Sequence, residues 1–143
     1  MIYKASRLIV EEFDRNDIKY GGKIQEYDDS SLVEAGFRID NGPFVIARFI
    51  SRDDDNDVAV RVFAIISVNE EKRQQVLQEV NAVNCKVRHI KFLLDEDGDL
   101  NAEYDFPVNL ADEQVGKVAV EMFARLMHIL NDLYPDFMRA MWQ

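Results

Sequence analysis

Between residues 100 and 106 the chain alternates without interruption. Leu100, Ala102, Tyr104 and Phe106 are apolar or aromatic, and Asn101, Glu103 and Asp105 between them are polar. A period of two sends one set to one face of a β-strand and the other set to the opposite face. Such a strand requires a sheet with one face buried and one face wet, so helices or a second sheet must cover the apolar side. Pro107 ends the strand or sits at an edge.

Other strands surround this one. Leu32 to Ile39 reads as extended, with Gly36 marking a bulge or a close approach. Asn41-Gly42-Pro43 is a turn signal before the β-branched and aromatic run Phe44 to Ile50, which predicts a hairpin. Val58 to Ser67 is nearly all apolar apart from Arg61, as expected of a strand central in a sheet or covered on both faces. His89 to Leu94 is a fourth strand, and Asp95-Glu96-Asp97-Gly98-Asp99 turns the chain tightly into the alternating segment.

Three helices accompany the strands. Ala5, Leu8, Ile9 and Phe13 recur at three- and four-residue spacing over Ile2 to Phe13, with an end at Arg15-Asn16-Asp17 and a turn at Tyr20-Gly21-Gly22. Val76, Leu77, Val80 and Val83 give a second helix its buried stripe, with Asn69 as the expected N-cap and Glu70 and Glu71 in the first turn. From Ala111 a long third helix carries a wide apolar band through Val115, Ala119, Phe123 and Leu130, and Pro135 is expected to break it before a last piece from Asp136 to Trp142. The order is α-β-β-β-α-β-β-α. Short connections between consecutive strands imply a largely antiparallel sheet packed against helices, an α+β fold in one domain spanning residues 1–143.

Charge narrows the function classes. Asp and Glu number 27 against 17 Lys and Arg, for a net charge of −10. That field repels phosphate backbones and anionic membranes, which disfavours nucleic-acid and membrane-surface binding. One cysteine, Cys85, permits no internal disulfide, and no stretch reaches the ~20 apolar residues of a membrane helix. The expected location is the cytoplasm.

The chemistry-bearing residues do not converge on a motif. The run 95–99 offers oxygen ligands, but an EF-hand counted from Asp95 needs Gly where Leu100 stands and Glu where Phe106 stands. The run 53–57 could hold a hard cation weakly or act as a solvated loop. His89 and His128 lack a second ligand at metal spacing, and Cys85 lacks an orienting group for nucleophilic work. There is no glycine-rich phosphate loop and no nucleophile elbow. No catalytic, metal or cofactor-binding residue is therefore assigned, and the chain is read as non-enzymatic. Phe137, Met138, Met141 and Trp142 after Pro135 either dock a partner or fold back on the core.

Asn81-Ala82-Val83-Asn84, the strand Ile90 to Leu94, the acidic turn and the strand to Pro107, followed by a long final helix, resemble the YbjN-type family of bacterial sensory transduction regulators from about Leu32 onward. The resemblance implies the fold of the small type III secretion chaperones. It also implies pairing of two copies and binding of proteins rather than catalysis. The expected function is thus a protein-interaction module, regulatory or chaperone-like. It would bind a protein partner or itself through apolar helix or sheet surfaces with an acidic rim. The candidate surface is Met122, Leu126, Leu133, Phe137, Met138, Met141 and Trp142. The alternative is a sensor domain for a small ligand or divalent cation, resting on the acidic loops and on a pocket beneath the helices.

Overall fold

The computed structural model describes residues 1–52, 56–109 and 111–143. Its elements are α1 (Lys4–Arg15), β1 (Gln25–Glu26), β2 (Ser30–Arg38), β3 (Phe44–Arg52), β4 (Asp57–Ser67), α2 (Arg73–Lys86), β5 (Lys91–Leu94), β6 (Asp99–Pro107) and α3 (Asp112–Trp142). The six strands form one sheet in the order β1-β2-β3-β4-β6-β5, and every pairing is antiparallel. The two-residue β1 was not expected from the sequence, being too short to show a period. Tyr27 donates its backbone N–H to Ser30 to close the β1–β2 turn.

Alternation sorts the sheet into two faces. Val33, Ala35 and Phe37 on β2, Val45, Ala47 and Phe49 on β3 and Val58, Val60 and Val62 on β4 are buried beneath the helices. β4 is central, as its composition implied, but helices cover only one of its faces. Phe13 on α1 meets Phe49 edge-on at 5.4 Å. On α3, Phe123 meets Phe37 at 5.6 Å and Phe137 meets Phe92 of β5 at 5.1 Å. The last helix thus reaches from β2 to the far edge of the sheet. α1 and α3 pack so closely that a Cβ on Gly116 would lie 2.8 Å from the carbonyl oxygen of Leu8.

Four local expectations give way to packing. Pro135 does not break α3, which runs unbroken for 31 residues. The turn beyond the proline is anchored by Phe137 and Met141, both buried, and their burial outweighs the missing backbone bond. Asn69 makes no side-chain cap, and a 3-10 turn over Glu70–Lys72 leads into α2 instead. His89 lies outside β5, in a left-handed bend with φ 69°. Asn101, on the polar side of the alternation, is buried. Its Oδ1 accepts the N–H of Ala64 at 2.8 Å, where β4 shifts register and Ala64 has φ 54°. Gly36 marks close packing rather than a bulge, because the β2–β3 register runs through it unbroken and the Phe44 ring lies against it.

Candidate functional site

Four of the seven residues proposed from sequence belong to the protein's own core. Met122, Leu126, Phe137 and Met141 are buried in the hydrophobic cluster with α1 and the sheet. The wide band on α3 is therefore consumed largely within the chain, because the helix faces α1, α2 and the sheet at once. Leu133 and Met138 are half-buried against the same cluster, and only Trp142 stands out, at 68% exposure.

The uncovered apolar surface lies on the other side of the sheet. Phe44 is 57% exposed and Phe63 48% exposed. Both sit on the helix-free face, where Leu32, Ile46 and Ile50 are half-buried. A groove of about 410 Å³ opens there, lined by Tyr20, Gly21, Glu34, Gly36, Phe44 and Ile46. This surface was missed from sequence because the outward residues of β3 alternate large apolar with arginine, which reads as a nearly continuous core strand.

A charged row crosses this face at right angles to the strands. Register places Glu34 opposite Arg48, Arg48 opposite Arg61, and Arg61 opposite Glu103. Like charges opposite one another would repel. The two arginines turn away from each other. Arg48 pairs with Glu34 at 3.1 Å and stacks over the Phe63 ring at 5.6 Å. Arg61 pairs with Asp105 at 2.7 Å and Glu103 at 3.5 Å, and donates to the Val60 carbonyl. Gln25 on β1 also donates to Glu34. Outward charges on β2 to β4 are Glu34, Arg38, Arg48, Arg52, Asp57 and Arg61; β6 and β5 add Asp99, Glu103, Asp105 and Lys91, and Arg61 holds Glu103 and Asp105. The strand residues of this face are charge-balanced, so the strands themselves carry no excess of acid.

The acidic turn is a structural device. Asp95 Oδ1 accepts the N–H groups of Asp97 and Asp99, each at 3.0 Å, and Oδ2 accepts from Asn101 Nδ2 at 3.0 Å. The backbone bond from Asp99 leads in holding its pKa below the ordinary carboxylate value, with the Asn101 bond next. Tyr20 donates to Asp14 at 3.0 Å, which favours the neutral phenol and raises its pKa. Among the described residues no group of three or more His, Cys, Asp or Glu could hold a metal ion. Most of the run 53–57 lies outside the described residues. No helix of the described residues is long and apolar enough to cross a membrane.

Both edges of the sheet are blunted. On β5, the Asn84 carboxamide donates to the Phe92 carbonyl at 2.9 Å and accepts the Phe92 N–H at 2.8 Å, standing in for a neighbouring strand. Lys91 Nζ closes the end of α2 by bonding the carbonyls of Asn84 and Val87. On β2, β1 pairs at Ser31 and Leu32, and Gly21 donates to the Glu34 carbonyl. Asn81 is exposed, so the two asparagines of the Asn-x-x-Asn pattern play different parts.

Comparison with known proteins agrees with this architecture. A family model described as "YbjN: Putative bacterial sensory transduction regulator" matches residues 8–132. No curated protein sequence matches. Among solved structures, YbjN from E. coli, titled a putative transcription regulator, superposes with a TM-score of 0.62 at 13% identity, covering 91% of each chain. The Yersinia pestis type III secretion chaperone SycH, solved in complex with a stable fragment of YscM2, gives a TM-score of 0.51 at 13% identity. That match covers 88% of this chain and 98% of the other.

Proposed function

The chain belongs to the YbjN family, and from that premise we propose that it is a non-catalytic, regulatory or chaperone-like module that binds a protein through the helix-free face of its sheet. The observation that carries the reading is the pair of exposed rings, Phe44 and Phe63, on a half-apolar face that none of the described elements covers. Aromatic and arginine side chains are the residue types that anchor protein interfaces, and both occur together at Arg48 and Phe63. The fold likeness to SycH, itself solved with a protein fragment bound, supports a protein rather than a small molecule as the occupant. We place its action in the cytoplasm, where an exposed unpaired thiol such as Cys85 stays reduced.

Affinity capture from native lysate tests the reading, with three baits compared: the wild-type chain, Phe63→Asp, and an unrelated protein of similar negative charge. A near-stoichiometric protein held by wild type and lost from Phe63→Asp is the expected result. Identical recovery by all three baits would refute binding through this face.

A further inference from the structure

We propose that Asp95 and Asn101 are positioning residues for the protein-binding face: they fix the bulge in β4 that presents the Phe63 ring. The inference rests on the reading of that face as a binding surface and adds what sets the conformation of its anchor. The register defines the bulge. Val62 pairs with Ala102 and Ile66 with Leu100, so Phe63, Ala64 and Ile65 stand opposite Asn101 alone. On the other side, the ladder to β3 ends at Val62. Phe63 and Ala64 therefore lie outside both ladders and are exposed, while Ile65 and Ile66 return to the core in succession. Bulges of this kind re-aim a side chain. Left without other support, such a segment would spread over several conformations, and a partner would have to order it on binding.

Side chains supply what the ladders do not. Asn101 Oδ1 accepts the Ala64 N–H at 2.8 Å and holds Ala64 at φ 54°, a left-handed conformation that residues other than glycine rarely adopt. A carboxamide can turn over, which would set its NH2 group against the Ala64 N–H. Asp95 fixes the choice. An ionised carboxylate oxygen can only accept, and Asp95 Oδ2 accepts from Asn101 Nδ2 at 3.0 Å. Oδ1 of the same carboxylate accepts from Asp97 and Asp99, and the Asp95 carbonyl accepts from Arg73 of α2 at 2.9 Å. The turn is thus tied to a helix on one side and to the bulge on the other. Phe63 projects from the bulge, and Arg48, itself paired with Glu34, lies over its ring at 5.6 Å. The ring is held at its root by the relay and at its face by the guanidinium, so it meets a partner already placed.

Exchanging the two residues tests the relay. In Asp95→Asn the N–H groups of Asp97 and Asp99 keep the remaining oxygen at Oδ1, so the new amide nitrogen faces Asn101 Nδ2, donor against donor. The Asn101 carboxamide then turns over and the Ala64 bond is lost. In Asn101→Asp two carboxylates face each other and repel. The double variant Asp95→Asn/Asn101→Asp restores every bond: the amide at position 95 donates, and the carboxylate at position 101 accepts both from it and from the Ala64 N–H. Amide hydrogen exchange followed by NMR is expected to show Ala64 exchanging about tenfold faster in each single variant and at the wild-type rate in the double. Nuclear Overhauser contacts between the Phe63 ring and the Arg48 side chain should weaken in both singles and return in the double. Recovery from native lysate of the protein that wild type holds and Phe63→Asp loses should fall about fivefold in the singles and return in the double. Asn84→Ala, which opens the far edge of the sheet, controls for lost stability and should change none of the three. Asn101→Asp is the harsher change, and Asp95→Asn decides the matter where circular dichroism shows the other unfolded. Ala64 exchange and Phe63 contacts that ignore the single variants overturn the proposal, as does a double variant no better than the singles. If the ring loosens but recovery holds, the relay does not serve binding, and the proposal fails while the face stands. If recovery is indifferent to Phe63→Asp, the binding face fails, and the positioning role fails with it whatever the exchange rates show.

Discussion

Asn84 offers a clean test of how this sheet is terminated. Its carboxamide makes two bonds to Phe92, one as donor and one as acceptor, in a partly buried setting at the free edge of β5. Replacing it with Ala removes both and leaves a backbone N–H and a carbonyl to find water. Each such bond is worth roughly 0.5–1.5 kcal/mol net, so together they contribute about 2 kcal/mol. Ala is also the better helix former, which returns about 0.6 kcal/mol. Asn81 lies three residues earlier on the same helix and is exposed, so Asn81→Ala measures that propensity gain alone. The expected outcome is that Asn84→Ala unfolds about 2 kcal/mol more easily than Asn81→Ala in urea, a difference of roughly 6 °C in Tm for a domain of this size. Hydrogen exchange at the Phe92 amide should accelerate in Asn84→Ala and not in Asn81→Ala. If the two variants unfold within about 0.5 kcal/mol of each other, the edge-closing account of Asn84 is wrong.

Three further outcomes are expected. Gly116→Ala should destabilise the chain by about 2 kcal/mol in chemical denaturation, although Gly to Ala inside a helix ordinarily stabilises, because the new Cβ would lie 2.7 Å from Glu12 Cβ and 2.8 Å from the Leu8 carbonyl. Phe137→Ala should cost about 3–5 kcal/mol while Trp142→Ser stays within about 0.5 kcal/mol by thermal melting, since the first fills the core and the second is solvated. Asp95 has a folded pKa held below its ordinary 3.8, so its contribution is present above that value and lost as pH falls through the folded pKa. Asp95→Ala should therefore flatten the acid side of the stability profile followed by urea midpoint, leaving a residual slope from other carboxylates.

Much of the fold was legible because its signals are local. Period two in Leu100–Phe106 and period 3.6 in Val76, Val80 and Val83 report which side of an element is apolar, and the structure buries those sides. The turns at Asn41-Gly42 and Asp95–Asp99 join antiparallel neighbours as their residue types imply. The interaction surface was the least legible feature. An apolar residue looks the same in sequence whether the chain covers it or leaves it bare. Met122 and Phe137 are covered by the rest of the chain, and Phe63 is left bare at the irregularity in β4.

Taken alone, the sequence determined the class of fold, the number of helices, the five longer strands and the two faces of β6, since each depends on short-range periodicity and turn chemistry. The tertiary structure decided everything that depends on distant partners. It set β6 beside β4 and joined Ser6 of α1 to Ser31 and Ser51 of the sheet in a buried hydroxyl cluster at 2.8 and 3.2 Å. It closed the β5 edge with Asn84, and it carried α3 through Pro135 because Phe137 had a pocket beside Phe92 to fill. The reason is one of range. A pattern records what a residue prefers to meet, while which residue it meets depends on long-range packing, whose energy exceeds any single local preference.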